Sequence, residues 1–270
     1  MLKNLLTAVP QGGLCNRLRV VLSALSLYEQ LPVEVQLEWS ENDECHARFD
    51  ELFEPVDADG FLIRTMDWWA RPSRKRNFHL PRMLRACMGY TWQRDGFEPS
   101  ALTELADALK RHRKVYVSSG SLLASYPPEC LSRLQPHAEL QARIDSILSG
   151  FPSYTVGVHI RRTDNAVSIQ NSPVEAFVSA MQEEVDKSPC VKFFLATDDA
   201  AVKQMLEKRF PHRIITRHVP AERNTLQGMQ DALVDLWCLA GTHKLLGSYW
   251  SSFTDMAAEI GKMPLVIVRV

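Results

Sequence analysis

The second half of the chain alternates β-rich runs with amphipathic runs, and this alternation constrains its fold more than any other feature. Five β-rich runs are separated by four runs whose apolar residues have helical spacing. Strands that alternate with helices in this way predict a parallel sheet with right-handed crossovers. The β-rich runs are 155–160, 191–196, 213–216, 244–248 and 264–270, and the helical runs are 172–187, 200–210, 225–240 and 252–261.

Capping residues mark the start of the first of these helices. Ser172 can act as N-cap, Pro173 suits the first helical position, and Glu175 completes a capping box. We therefore expect that helix to begin at Pro173.

The first half of the chain also has an α/β pattern. A strand at 4–10 leads through the turn "QGGLCNRL" into a helix at 16–30. The two glycines of the turn allow a ligand to approach the N-terminus of that helix. Further strands are predicted at 33–39, 60–64 and 114–119, and the pattern weakens between 120 and 153. This weakening predicts an N-terminal lobe of residues 1–150 and a C-terminal lobe of residues 151–270.

Composition narrows the class of protein. The net charge of −1 disfavours a general nucleic-acid binder, which usually has a large basic excess. No window holds the roughly 18 apolar residues of a membrane span, and the N-terminus resembles a strand more than a signal peptide. The six cysteines include no Cys-x-x-Cys pair, which predicts buried, reduced thiols in a cytoplasmic protein.

Polar clusters follow three of the predicted strands. Residues 161–164 follow the strand at 155–160, residues 197–199 follow the next strand, and three serines follow the strand at 244–248. The three serines are Ser248, Ser251 and Ser252. Ligands of open α/β sheets bind at the carboxyl ends of the strands. The sequence therefore predicts a ligand site at this edge.

Arg161 and His159 are candidates for this site. The guanidinium of Arg161 can bind a phosphate with two parallel hydrogen bonds, and His159 lies on the same face of the strand. The alternatives are structural. Arg162 could pair with Asp164, either arginine could pair with Asp198, and His159 could be a core histidine with a hydrogen-bond partner.

Carboxylates and serines provide further candidates. Asp235 lies in the apolar run "ALVDLWCLA", where a carboxylate requires a partner or a ligand. It could accept from the N1–H and 2-amino groups of guanine, or it could lie on the helix surface. Asp198 and Asp199 could bind a ribose hydroxyl or a metal, or Thr197 or Asp198 could cap the next helix. Ser251 and Ser252 could both cap a helix and bind an anion.

The segment 71–94 has an unusual charge pattern. It contains seven Lys and Arg residues, no acidic residue, and interleaved aromatic residues. Such a segment could contact a membrane surface or an anionic acceptor. The alternative is a solvated basic helical insert.

Three motifs in order resemble the donor-binding half of fucosyltransferases. They are "VGVHIRRTDN", "FFLATDD" and "SYWSSFTDMAAE". The nearest resemblance is to the core α1,6-fucosyltransferases of animals and the rhizobial nodulation fucosyltransferases, and it covers about residues 154–270. The turn "GGLCNRL" resembles the Gly-Gly-x-x-Asn-Arg turn of related enzymes. The resemblance implies a GT-B-like α/β fold, in which two Rossmann-type lobes with parallel sheets face a central cleft.

The resemblance also implies roles for individual residues. Arg161 would hold the β-phosphate of GDP and act in catalysis, while His159 and Asp235 would contact the guanine side. Ser252, beside Ser251, would contact the diphosphate, and Asn16 would approach the donor from the other lobe. These enzymes need no metal, because an arginine takes the role of the cation.

Three positions depart from the pattern of the α1,6 enzymes. Asn165 stands where they have a lysine, Ile169 where they have a glutamate proposed as base, and Phe253 where they have a glutamine. The resulting hypothesis is an inverting glycosyltransferase that transfers a sugar from a GDP-sugar, with GDP-fucose favoured, to a glycan or glycolipid acceptor. The alternatives are a glycosyltransferase that uses another nucleotide sugar and a non-catalytic nucleotide-sugar-binding protein. A dinucleotide oxidoreductase ranks last because the chain lacks a Gly-x-Gly-x-x-Gly turn.

Overall fold

The computed structural model describes residues 3–66, 80–98, 102–163, 165–219 and 221–270. The chain forms two compact units, one of Met1–His137 with Arg223–Met229 and one of Ala138–Glu222 with Gln230–Val270. Each unit holds a sheet of five described strands, and every described strand pair is parallel. The predicted α/β class, with a parallel sheet in each half of the chain, is confirmed.

The first unit is built around the strand predicted at its start. Its elements are β1 (Asn4–Pro10), α1 (Leu14–Gln30), β2 (Val33–Trp39), β3 (Phe61–Thr65), α2 (Arg82–Cys87), β4 (Trp92–Arg94), α3 (Leu102–Arg111) and β5 (Lys114–Ser119). Short 3₁₀ helices lie at Phe49–Glu51 and Pro128–Arg133. The strand order is β3-β2-β1-β5-β4. The last five residues of β1 are buried, and such a central strand is apolar without alternation.

The second unit has the strands that the sequence predicted and two further helices. Its elements are α4 (Ala138–Leu148), β6 (Thr155–Ile160), α5 (Ala166–Asn171), α6 (Val174–Lys187), β7 (Lys192–Thr197), α7 (Ala200–Arg209), β8 (Ile214–Thr216), most of α8 (Leu226–Ala240), β9 (Lys244–Ser248), α9 (Ser252–Gly261) and β10 (Leu265–Val268). The strand order is β10-β9-β6-β7-β8. The chain moves from β6 to one side and later returns to the other, so the carboxyl ends of β6 and β9 form a topological switch point.

Close packing fixes the last helix against this sheet. Gly247 of β9 has no side chain, and a Cβ there would lie 2.1 Å from Cγ2 of Thr254 on α9. On the second sheet, apolar residues of β6 and β7 join Phe177 and Met181 of α6 in one buried cluster. Burial of such side chains stabilises the unit by roughly 1.5–3 kcal/mol each. The switch point therefore rests on a packed core.

The predicted capping box at Ser172 is wrong. The helix α6 begins at Val174 with Pro173 as its N-cap, and Pro173 provides no side-chain cap. The Ser172 hydroxyl instead donates to the carbonyl of Val268 and accepts from the backbone N–H of Tyr249. Two tertiary hydrogen bonds from a fully buried hydroxyl compete successfully with one local cap.

Part of the basic segment 71–94 can be placed. Residues 71–79 lie outside the described residues, and residues 80–94 contain α2 and β4. In the described part of the chain, no helix combines the length and the apolar character that crossing a bilayer requires. All six cysteines lie within the described residues, and none of them forms a disulfide. The prediction that they are buried is wrong for Cys87 and Cys190, which are exposed.

Candidate functional site

The polar clusters of the second unit lie side by side at one edge of the sheet. Strand β6 pairs with β7, where Ile160 lies opposite Thr197, and with β9, where His159 lies opposite Gly247. Each cluster follows the carboxyl end of one of these three strands. The predicted gathering of polar residues at this edge is confirmed.

Ser248 joins the ends of β6 and β9. Its hydroxyl donates to the carbonyl of His159 at 3.2 Å and accepts from the backbone N–H of Arg161 at 3.0 Å. The residue is fully buried. These two hydrogen bonds fix the backbone at the end of β6. They therefore fix the position of the Arg161 backbone, from which its side chain extends.

Asp198 orients Arg161. One of its oxygens lies 2.9 Å from Nη1 of Arg161, and the two side chains are 10% and 17% exposed. The carboxylate also accepts from the backbone N–H of Arg162 at 2.7 Å and from the hydroxyl of Thr163 at 2.7 Å. The ion pair considered as an alternative for Arg161 is thus present. It holds the guanidinium in one orientation at the carboxyl edge of the sheet.

Arg162 has a structural position. Its Nη2 donates to the carbonyls of Ser172 at 3.0 Å and Ile169 at 3.3 Å, so it supports the C-terminal end of α5. The side chain of Arg162 thus has structural partners, and those that the structure shows are carbonyls rather than the carboxylate of the ion pair considered for it. The carboxylate proposed as its partner, Asp164, lies outside the described residues.

His159 is a buried, neutral ring that contacts α9. Its Nδ1 lies 2.8 Å from the hydroxyl of Thr254, and its ring stacks on Phe253 at a centroid distance of 4.8 Å. Burial, and then the charge of Arg161, lower the pKa of His159 to about 3. The imidazole is consequently uncharged near neutral pH, and any hydrogen bond that it makes with a ligand is one of a neutral ring.

The two serines open α9 as the sequence predicted. Ser251 is the N-cap, and its hydroxyl accepts from the backbone N–H of Thr254 at 3.5 Å. Ser252 is the first residue of the helix. The N-terminus of α9 carries a partial positive charge. It follows shortly after Ser248 in the sequence, and the hydroxyl of Ser248 accepts from the backbone N–H of Arg161.

Trp250 is a functional candidate that the sequence reasoning missed. It has φ +55°, which is rare for a bulky residue, and 70% of it is exposed. Its carbonyl accepts from Nδ2 of Asn165 at 2.8 Å, and Asn165 also caps α5 by accepting from the N–H of Ser168. The signal that could have found Trp250 is a large aromatic residue directly before the Ser-Ser pair.

Asp235 of α8 has an arginine partner. Its Oδ1 accepts from Nη1 of Arg217 at 3.0 Å, and Arg217 also forms an ion pair with Asp231. Burial raises the pKa of Asp235 to about 6, against the opposing effect of Arg217. The prediction that this carboxylate needs a partner is confirmed. Arg217 itself lies 18 residues away in the chain, and no local pattern indicates it.

Of the acidic pair after β7, Asp198 contacts Arg161 as described above, and Asp199 binds the protein's own backbone. Asp199 is the N-cap of α7 and accepts from the N–H groups of Ala201 and Val202. The predicted cap therefore lies at Asp199 and not at Thr197 or Asp198. Within the described ranges, no group of three or more His, Cys, Asp or Glu residues is arranged to hold a metal ion.

Asn16 belongs to a turn at the corresponding edge of the first unit. Gly12 has φ +78°, and a Cβ there would lie 2.8 Å from Nδ2 of Asn16. Gly13 caps α1 without a side chain. Arg17, which is fully buried, donates to the carbonyl of Gly12 at 2.7 Å and to Oδ1 of Asn42 at 2.8 Å. No sequence pattern predicted this role of Arg17.

No protein-family profile and no curated protein sequence matches the chain. Solved structures do match it in fold. A NodZ α-1,6-fucosyltransferase soaked with GDP-fucose has a TM-score of 0.63 and 18% identity, and the match covers 98% of this chain and 94% of that one. The apo form of POFUT1 has a TM-score of 0.64, 10% identity, and coverage of 100% and 99%. A variant of Arabidopsis thaliana FUT1 in complex with GDP has a TM-score of 0.66, 12% identity, and coverage of 98% and 70%.

The fold is that of these fucosyltransferases. The resemblance read from the sequence motifs is confirmed at this level, and so is the GT-B-like, two-unit α/β fold class. The sequence motifs support the resemblance over short stretches of residues, and the fold supports it over nearly the whole chain.

The three departures from the α1,6 pattern have structural roles here. Asn165 connects α5 to the turn before α9, and the carbonyl of Ile169 accepts from Arg162. Phe253 covers one face of the His159 ring. Each residue thus contacts a candidate site residue or the loops around one, so these departures change the immediate surroundings of the site.

Proposed function

We propose that the chain is an inverting glycosyltransferase that transfers a sugar from a GDP-sugar, with GDP-fucose favoured, to a glycan or glycolipid acceptor. One observation carries the proposal. Arg161, oriented by Asp198, lies at the switch point of a parallel sheet, at the end of β6 that the Ser248 hydroxyl joins to β9. The fold of GDP-binding fucosyltransferases supports this assignment.

The chemistry assigned to Arg161 follows from charge. When the bond between the sugar and the β-phosphate breaks, negative charge develops on the phosphate oxygens. A guanidinium already held in place stabilises this charge without reorganisation, and loss of one such donor typically costs about 10²–10³ in rate. Backbone N–H groups at the start of α9, near Ser251 and Ser252, would add further donors.

Recognition of the base is assigned to the other candidates. As an ionised carboxylate, Asp235 would accept from two donors of guanine, which uracil does not offer in the same pair. The neutral ring of His159 would contact the guanine side. Asn16 would approach the donor from the first unit. In this proposal residues 1–150 form the acceptor-side lobe and residues 151–270 form the nucleotide-sugar-binding lobe.

The acceptor's proton needs a base outside α5, because the residues of that helix include no carboxylate. The same observation supports a second candidate, a protein that binds a nucleotide sugar without turning it over. We also propose metal-independent action, with Arg161 as the cation. A cytoplasmic location is supported by the six described cysteines, which are reduced and form no disulfide.

A two-step experiment tests the proposed function. Thermal shift with GDP, UDP, ADP and NAD should show selective stabilisation by GDP, since ligands that bind only the folded state raise the midpoint. Release of GDP from GDP-fucose, with and without a mixture of glycan acceptors, then separates the two candidates. Turnover supports the transferase, and GDP-fucose binding without turnover supports the binding protein. An absence of any GDP-selective shift would contradict both.

A further inference from the structure

Helix α2 reverses the arrangement of an ordinary amphipathic helix, because its charged side chain is buried and its apolar side chains are exposed. Its buried side chain is an arginine, Arg85, which is 3% exposed. Its apolar residues face water, with Met83 83%, Leu84 46% and Met88 45% exposed. Cys87 is exposed as well. The i, i+4 spacing places Met83 beside Cys87 and Leu84 beside Met88, so these four residues form one continuous face.

Polar contacts hold the helix in this orientation. Nη1 and Nη2 of Arg85 donate to the two carboxylate oxygens of Asp95 at 2.8 and 2.7 Å. The guanidinium also lies over the ring of Tyr116, 3.9 Å from its centroid. After the helix, the hydroxyl of Tyr90 hydrogen-bonds that of Thr7 at 2.8 Å. The outward position of the apolar face is therefore built in, and Arg85 is not available to an outside ligand.

Exposed cations lie next to this face. Nζ of Lys114 donates to the carbonyl of Met88 at 3.0 Å, and Thr91 bonds His112 at 2.9 Å. These contacts bring the sequence 110–114 beside the end of α2. Exposed basic residues in and around these segments are Lys3, Arg82, Lys110, Arg111 and Arg113. Asp107, which approaches Lys110 at 4.0 Å, offsets only part of this charge.

The cationic group lies at the amino-terminal edge of the first sheet. Lys114 is the first residue of β5, and the carbonyl of Arg113 accepts from Leu5 at the start of β1. In α/β sheets, ligands bind at the opposite, carboxyl edge, where Gly12 and Asn16 lie. This position favours a docking role over contact with a small substrate.

We propose that α2 and the adjacent cations dock on an anionic lipid bilayer. Met83, Leu84 and Met88 would enter the interfacial layer, and Arg82, Arg111 and Arg113 would contact lipid phosphates. A bilayer surface accommodates apolar and cationic side chains together, whereas a soluble polyanion would leave the three apolar residues in water. Because α2 has only six residues, binding is reversible and salt-sensitive. The proposal does not depend on the nucleotide site.

Vesicle sedimentation of the full chain tests this surface. We expect binding to phosphatidylcholine vesicles that contain about a third phosphatidylserine, and little binding to phosphatidylcholine alone, since anionic headgroups attract the cations near the surface. The variant Met83→Ser/Leu84→Ser/Met88→Ser and the variant Arg111→Glu/Arg113→Glu should each lower the partition coefficient at least about tenfold. If the triple variant misfolds, Met83→Ser alone replaces it.

Matched controls on the second unit separate local from general effects. Lys208→Glu/Arg209→Glu changes the net charge equally on the exposed surface of α7. Met205→Ser removes another exposed apolar side chain. Both should bind vesicles like the parent.

Four outcomes would overturn the proposal. They are no binding of the parent to anionic vesicles, equal losses in the control variants, binding of heparin in place of vesicles, and a dimer in sedimentation velocity that the serine variants dissolve. The last two would assign the surface to a soluble polyanion or to a second copy of the chain.

Discussion

The two sheets share an arrangement of their first three strands and differ in the arginine that follows. In both units the first strand is central, with the second and third strands to one side. In the first unit the motif arginine is Arg17, which is fully buried and bonded to the carbonyl of Gly12 and the amide of Asn42. In the second unit it is Arg161, which is partly exposed and paired with Asp198.

The partners of the two arginines explain their different roles. Burial lowers the pKa of Arg17 from its ordinary value, and its neutral acceptors hold the glycine turn closed around it. Arg161 is held by a carboxylate at the sheet edge, where a guanidinium can meet an anion. Burial and neutral acceptors thus make Arg17 a structural residue, whereas the partial exposure and the carboxylate partner of Arg161 support the ligand-binding role proposed for it.

The largest expected effect is on stability, from Arg17→Met. The substitution removes this donor from the carbonyls of Gly12 and Ser40, while Oδ1 of Asn42 keeps the backbone N–H groups of Glu44 and Cys45. At about 1–3 kcal/mol for each of the two carbonyls, the free energy of unfolding should fall by about 2–6 kcal/mol. Urea denaturation measures this, with Arg111→Met on the exposed surface of the same unit as the control. A loss of unfolding free energy below about 1 kcal/mol would mean that the turn does not need the hydrogen bonds from Arg17.

Arg161→Lys should act on catalysis and leave stability nearly intact. Lysine keeps the charge but loses the two-pronged donor geometry, so kcat should fall at least about 10²-fold with a smaller change in donor affinity. Steady-state kinetics with a confirmed donor measure the effect, and circular dichroism verifies folding. Arg209→Lys, an exposed substitution of the same kind on α7, should leave kcat unchanged. A near-normal kcat in Arg161→Lys would make both motif arginines structural.

Asp235→Asn should reduce the preference for GDP over UDP by about tenfold, because a charged acceptor is lost. In the free parent protein the preference should also weaken as the pH falls through about 6, the pKa to which burial raises this carboxyl. The ionised form, which accepts both guanine donors, predominates above that pH. Calorimetry from pH 5 to 8 measures both effects, with Asp186→Asn on the surface of α6 as control. Equal GDP and UDP affinities in the parent would refute the assignment.

The smallest expected effect is that of metal removal. Arg161 supplies positive charge at the switch point, and Asp198 and Asp199 are engaged by backbone groups. GDP affinity should therefore be unchanged in excess EDTA. If EDTA abolished GDP binding and Mn²⁺ restored it, the two aspartates would be metal ligands. A metal ion would then supply positive charge at the switch point in addition to Arg161.

The sequence predicted what depends on strong local patterns. Buried strands such as β6 are continuous apolar runs, and the rule for parallel sheets then places the residues that follow them at one edge. Ser251 was predicted as a cap because it directly precedes a helical run. In these cases local preference and tertiary structure agree.

The elements that were not predicted depend on tertiary contacts. The stretch that forms α5 has no clear amphipathic pattern, and its ends are held by Arg162 and by the bond from Asn165 to Trp250. The orientation of α2 is held by the ion pair between Arg85 and Asp95. Helical periodicity and capping residues do not indicate such contacts, because the contacts form only when the chain has folded.

The backbone of Trp250 has the left-handed conformation that glycine also adopts. A substitution by glycine can therefore remove the ring and keep the conformation of the main chain. Glycine adopts φ +55° without steric cost, whereas tryptophan there is strained by about 1 kcal/mol. Glycine in turn has more conformational entropy in the unfolded chain, by a similar free energy. Trp250→Gly should therefore leave the melting temperature nearly unchanged while it deletes an indole that is 70% exposed. Any change in ligand affinity in that variant would then report on the ring alone.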